Sequence, residues 1–272
     1  MDSFSVFDFT ITPFYYLGMC IWKVMLALIG VTAGETPQTF SAGTWNYITQ
    51  SIYPLFLAIG SSLLNVFFCV GYLRSVSNLR DGMTLEMFIE LLIKVALGNL
   101  VIQSIIPIME QIFNLAGGIS QMLVVGVDNP FTQNDLDGGA IFFYAVFGII
   151  FFAVCLVCSV TIFLTVYGRY LQLYMLVLSA PVALSTIPGG PGVSQTAGAW
   201  FKTLLAKTFS IVVIALALII ASKMCAAIDY GQLAGIESVD GFLQAVQNIF
   251  NMLLLTAAVK GVDEYMRRTF AL

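Results

Sequence analysis

Histidine is absent from this chain, and charge is scarce: 11 Lys and Arg against 15 Asp and Glu, or 10% of 272 residues. Without histidine, neither a zinc-protease motif nor a Ser-His couple can be assembled. No Gly-rich phosphate loop ending in Lys follows a strand. Asp229 sits at the end of an apolar run with no carboxylate partner, so an intramembrane aspartyl dyad is lacking too. The expectation is a non-enzyme with no cofactor and no metal. No Lys/Arg cluster exists and the net charge is −4, which argues against a nucleic-acid or lipid-headgroup surface within the chain. Asp2 and Asp8 precede the first positive charge, Lys23, so the basic start of a signal peptide is missing.

Cysteine is sparse as well. All five (Cys20, Cys69, Cys155, Cys158 and Cys225) lie in apolar segments. Cys155 and Cys158 stand one helical turn apart, but no second pair completes a zinc or redox site. They read as small buried hydrophobes.

What remains is apolar. Hydrophobic residues make up 59% of the chain, more than a soluble domain could cover with so little charge. Several runs reach 18 or more apolar residues and are continuous rather than alternating, which selects membrane helices over a barrel. The predicted fold is all-α and polytopic. About five transmembrane helices are accompanied by a re-entrant or interfacial segment and an N-terminal amphipathic helix. Residues 1–50 form the N-terminal interfacial region and 51–272 the helical bundle.

The stretch 15–31 is nearly long enough to span but carries Lys23 at its centre, where insertion costs roughly 2.5–3.5 kcal/mol. An interfacial helix with Lys23 snorkelling is preferred; a span with Lys23 paired in a bundle is the rival. The predicted spans are 52–73, 95–109, 141–166, 208–227 and 242–259. Thr84 can cap a helix whose start is amphipathic, with Glu86, Glu90 and Lys94 at four-residue spacing. Small residues at Gly60–Ser62 and at Ala217/Ala221 suggest faces for packing against other chains. Asn65, Asn99 and Gln103 are polar groups inside apolar runs, read as interhelical hydrogen bonds before a conduit lining.

Nearly all positive charge lies around 74–94, Arg169, 202–207 and 260–268, while 110–139 and 229–240 carry none. The positive-inside rule places the first group in the cytoplasm, with the N-terminus outside and the C-terminus inside. Both flanks of 170–187 then face the cytoplasm, so this segment doubles back, either as a hairpin broken at Pro181 or by crossing and returning through 194–207. The first is preferred.

That region carries a resemblance. Tyr167-Gly168-Arg169, Leu171-Gln172-Leu173-Tyr174 and Ser179-Ala180-Pro181, closed by the Gly-rich turn at 188–192 and a further apolar helix, resemble the TrbL family. Its members are polytopic cytoplasmic-membrane subunits of conjugative type IV secretion systems, and the layout is similar to versions from Gram-positive conjugative elements. The resemblance implies a channel or scaffold subunit in a bacterial cytoplasmic membrane. It implies a homo-oligomer beside the secretion ATPase and other secretion subunits, in transient contact with a translocating DNA–protein substrate. Tyr167, Gly168, Arg169, Gln172, Tyr174, Ser179 and Pro181 become candidate assembly or conduit residues.

For Arg169, a cytoplasmic contact for substrate, ATPase or lipid phosphate stands against a topology anchor among belt tyrosines. For Pro181, a hinge stands against a static kink. The alternative function is a secondary transporter or permease subunit for a small solute, since Pro107 and Pro181 interrupt apolar segments as broken transporter helices do.

Overall fold

The computed structural model describes residues 12–77, 85–124, 138–190, 192–227 and 240–270. Arg80, Thr84, Asp128, Asp135, Asp137, Asp229 and Glu237, on which several expectations rest, lie outside the described residues. Every described element is helical. In chain order they are α1 (Pro13–Ala33), α2 (Pro37–Phe40), α3 (Ala42–Tyr47), a π-helical turn (Ile48–Ile52) and α4 (Tyr53–Ser77). Then come α5 (Leu85–Val124), α6 (Gly138–Leu184), a 3-10 turn (Ile187–Gly189), α7 (Gln195–Ala227) and α8 (Asp240–Thr269).

Five helices are long and apolar enough to cross a membrane: Pro13–Thr32, Ala42–Arg74, Leu85–Leu123, Ile141–Leu184 and Gln195–Met224. The architecture is that of an all-α polytopic helical protein. These are not quite the five expected spans. Pro13–Thr32 has the length and apolarity of a span, the rival to the preferred interfacial helix, and Lys23 is half-buried within it. The apolar part of α8 is interrupted by Gln247, Asn248 and Asn251, and α8 is not among the five.

One expectation is overturned. No re-entrant hairpin breaks at Pro181, because 141–166 and 170–184 belong to the single helix α6 of 47 residues. At about 1.5 Å per residue such a helix is roughly 70 Å long, more than twice a hydrocarbon core. Proline forfeits one amide bond and crowds one carbonyl, which costs most in a helix interior. Pro181 stands one turn from the end of α6, and the turn after it is intact: Ser185 N–H donates to the Pro181 carbonyl at 3.0 Å. The reversal comes later, at 185–194. Likewise 194–207 is no separate amphipathic stretch but supplies the start of α7.

The chain divides into two compact units. The first comprises the described residues within 1–34, 118–168 and 210–265. Its core is aromatic where α1 meets α6. The Tyr15 ring lies 4.1 Å from Tyr144 and 5.3 Å from Phe151, between centroids. Trp22 is fully buried. Gly18 permits this approach, since a β-carbon there would meet Cys155 Sγ at 3.2 Å. On α8, Asn248 donates to the Tyr144 hydroxyl at 3.4 Å, and Met252 Sδ accepts a hydrogen bond from the Cys155 thiol at 3.4 Å between sulfurs. Cys155 and Cys158 are buried and free, as a pair of small hydrophobes should be. Ala221 is buried in this unit, so its small-residue face is used within the chain.

The second unit comprises the described residues within 35–117, 169–209 and 266–272. Its centre is the hairpin made by the end of α6, the turn at 185–194 and the start of α7. Serine and threonine hydroxyls stop α6 by satisfying carbonyls that the helix leaves open: Ser185 Oγ donates to Val182 O at 2.7 Å and Thr186 Oγ1 to Ala183 O at 2.6 Å. Gly190 and Gly192 then take φ of 79° and 92°, a region only glycine enters freely. Trp200 on α7 clasps the hairpin, its indole N–H lying 3.2 Å from both the Leu176 carbonyl and Ser179 Oγ.

α4 packs on this hairpin through two glycines eleven residues apart, which three helical turns place on one face. A β-carbon on Gly60 would stand 2.6 Å from Pro181 Cβ and 2.7 Å from its backbone. One on Gly71 would run into the Pro188 carbonyl. Gly60, expected to face other chains, therefore serves contact within this one.

Candidate functional site

The candidate residues on α6 fall on both sides of the division between units. Tyr167 stacks on Phe163 at 4.1 Å between centroids, one turn earlier, in the first unit. Gly168 has open space where a β-carbon would stand.

In the second unit the helix presents Arg169, Tyr170, Leu173, Tyr174 and Val177, all buried. Three- and four-residue spacing puts them along one face, while Gln172, Leu171 and Met175 are exposed on another. Against the buried face lies the short strap 35–47. Its own start is capped locally: Thr36 Oγ1 accepts from the Thr39 amide at 3.4 Å, and Thr39 Oγ1 accepts from the Thr36 amide at 2.9 Å. Pro37 occupies the first helical position, where its missing N–H costs nothing.

Two tyrosines hold the strap. Tyr170 OH donates to the Glu35 carbonyl at 3.1 Å, and Tyr174 OH to the Pro37 carbonyl at 2.8 Å. The Tyr170 ring is stacked on Phe40, 4.0 Å between centroids and 3° from parallel. Trp45 of α3 stands edge-on to Phe113 at 6.3 Å and 6.5 Å from Tyr174. Each ring buries apolar surface while its hydroxyl finds an acceptor, the usual condition for a buried tyrosine. On α4, Tyr53 OH does the same with the Ile102 carbonyl at 3.2 Å.

Arg169 is only 5% exposed, and its guanidinium lies 4.8 Å from the Tyr170 ring centre. It is part of the packed interior beside the strap rather than a side chain held out toward a partner. Ser179 bonds the Leu176 carbonyl at 3.1 Å and receives Trp200, and Pro181 is buried against Gly60. The structure thus brings together Arg169, Tyr174, Ser179 and Pro181 as parts of one packed hairpin. Gln172 stands apart on the exposed face.

The polar candidates on other helices are also exposed. Asn65 faces outward from α4. Asn99 and Gln103 face outward from α5, joined to each other by a 3.2 Å bond from Gln103 Nε2 to Asn99 Oδ1. Among the described residues the bond recorded for this pair runs along α5 rather than to another helix. The Glu90–Lys94 pair at 2.7 Å is an exposed surface contact.

The strap and Gly71 were not singled out by sequence, and Tyr170 was seen only as a tyrosine beside Arg169. The Thr36-Pro37-Gln38-Thr39 cap is the sequence signal for a structured strap. Among the described residues no three His, Cys, Asp or Glu side chains gather as metal ligands. No family model, no curated protein and no solved structure matches the chain.

Proposed function

We propose that this chain is a membrane-embedded channel or scaffold subunit of a type IV secretion apparatus, helping to move DNA–protein substrate across a bacterial cytoplasmic membrane. The reading rests on the resemblance at Tyr167–Pro181. What supports it is that residues 169–181 are the packing centre of their unit: Tyr170 and Tyr174 hold the strap, Trp200 clasps Ser179, and Pro181 seats Gly60. A motif used this way builds a framework for assembly rather than a catalytic or ligand-holding surface. The expected partners are further copies of the chain, the secretion ATPase and neighbouring secretion subunits.

Deleting the coding region from a conjugative element and measuring transfer frequency tests the assignment. Transfer should fall by orders of magnitude and return with the intact chain; unchanged transfer would refute it. Uptake of a defined small solute by the purified protein in liposomes would favour a transporter instead.

The orientation proposed from charge puts the segment after α5, 125–139, outside and the C-terminus in the cytoplasm. A single cysteine at Asn134 should react with an impermeant reagent from outside and one at Ser194 should not. The N-terminus is outside if α1 lies in the interface and inside if α1 crosses; a cysteine at Ser5 separates these.

A further inference from the structure

Helix α5 carries two polar couples on one face. Asn99 and Gln103 form the first, Glu110 and Asn114 the second, each four residues apart, and the second repeats the first after eleven residues. Eleven residues are close to three turns, so all four side chains fall within an arc of about 60°. They extend over roughly 22 Å, most of a hydrocarbon core. Asn99, Gln103 and Asn114 are exposed and Glu110 is half-buried. The same helix shows what its lipid-compatible surface looks like: Leu97 at 54%, Leu100 at 63% and Leu115 at 58% exposure carry no polar group.

We propose that this polar stripe is the surface by which identical chains associate, α5 against a second copy. Lipid cannot cover it, because hydrocarbon offers no donor or acceptor to four polar side chains. A second copy can, because each couple contains both kinds of group. Gln103 Nε2 donates to Asn99 Oδ1 within the chain, which leaves a carbonyl oxygen on Gln103 and N–H groups on Asn99 for a neighbour. Glu110 and Asn114 again pair an acceptor with an amide donor. A surface that carries its own complement suits a symmetric assembly, and Asn and Gln at membrane helix interfaces bond across helices in this way. Of the alternative small residues, Gly60 is occupied by Pro181 and Ala221 is buried within its unit. The inference requires that α5 lie in a bilayer; it does not depend on the secretion reading.

The test uses the full chain in native membranes, with no conjugation machinery present. In a cysteine-free background, Asn99→Cys, Gln103→Cys and Asn114→Cys are compared with Leu97→Cys and Leu115→Cys under mild oxidation. Disulfide-linked dimer should form at the stripe at least fivefold more than at the leucines. Equal or absent cross-linking would overturn the proposal. So would alkylation of the stripe cysteines by an impermeant maleimide without cross-linking, which indicates a water-lined face of a single chain. Should the cysteine-free chain fail to fold, the native chain decides the matter by mass photometry in mild detergent. An oligomer that Gln103→Leu with Asn114→Leu weakens at least tenfold supports the interface; a monodisperse native monomer refutes it. Loss of cross-linking leaves the transfer experiment untouched, and loss of transfer leaves this one untouched.

Discussion

Gly71→Ala offers the sharpest check on how α4 meets the hairpin. The added β-carbon points at the Pro188 carbonyl, a main-chain atom in a buried turn that has no rotamer to change. At Gly60 the added carbon would sit 2.6–2.7 Å from Pro181 ring and backbone atoms, where ordinary contact begins near 3.4 Å. Relief at either site requires a helix to withdraw by most of an ångström. Overpacking of this kind costs about 1–3 kcal/mol, while alanine's better helix propensity returns about 1 kcal/mol. The expected net loss is thus about 0–2 kcal/mol for each glycine, with Gly71 at the upper end. Gly198→Ala in α7 is the matched control, since nothing lies within 4 Å of its β-carbon. That variant should gain about 0.4–1 kcal/mol. Unfolding in detergent micelles by denaturant titration measures all three. If Gly71→Ala proves as stable as Gly198→Ala, the close packing of α4 on the turn is refuted.

Other outcomes follow from the strap and its clasp. Tyr174→Phe removes one hydroxyl bond of 2.8 Å and should cost about 1 kcal/mol. Tyr170→Ala also empties the stack on Phe40 and should cost about 3–5 kcal/mol; proteolysis within 35–47 should rise far more for this variant than for Tyr174→Phe. Trp200→Phe loses the indole donor to Leu176 and Ser179 and leaves a gap beside the smaller ring, so it should cost more than the about 1 kcal/mol of the hydrogen bond alone in the same unfolding titration. Glu90→Gln should cost no more than about 0.5 kcal/mol, and less as salt is raised, because its ion pair with Lys94 is exposed.

The helical class was legible because apolar runs of this length admit no other structure in a bilayer. The position of the hairpin was not. Charge counting brought both flanks of 170–187 to one side and Pro181 offered a place to bend, but proline's helix-breaking cost depends on where the helix stops. That point is set by Ser185 and Thr186 capping carbonyls and by glycines at positive φ, four to eleven residues further on. The α6 face was half legible: Arg169, Tyr174, Ser179 and Pro181 were named, yet their shared role depends on a strap some 130 residues earlier in the sequence. Periodicity carries no information about such a pairing. Asn99 and Gln103 were found as polar anomalies, but their outward direction follows from which face of α5 its neighbours bury.

The strap also carries a consequence for how the protein is made. Glu35 and Pro37 are anchored by hydroxyls 135 and 137 residues downstream. At translation rates of about 5–20 residues per second, residues 35–40 leave the ribosome on the order of ten seconds before Tyr170 and Tyr174 exist. During that interval local bonds such as the Thr36–Thr39 cap are available to hold their shape, and the two tyrosine anchors are not. The nascent chain passes through a stage with Phe40 and Trp45 synthesised and Tyr170 and Tyr174 still to come. Completion of α6 supplies the rings against which Phe40 and Trp45 then pack.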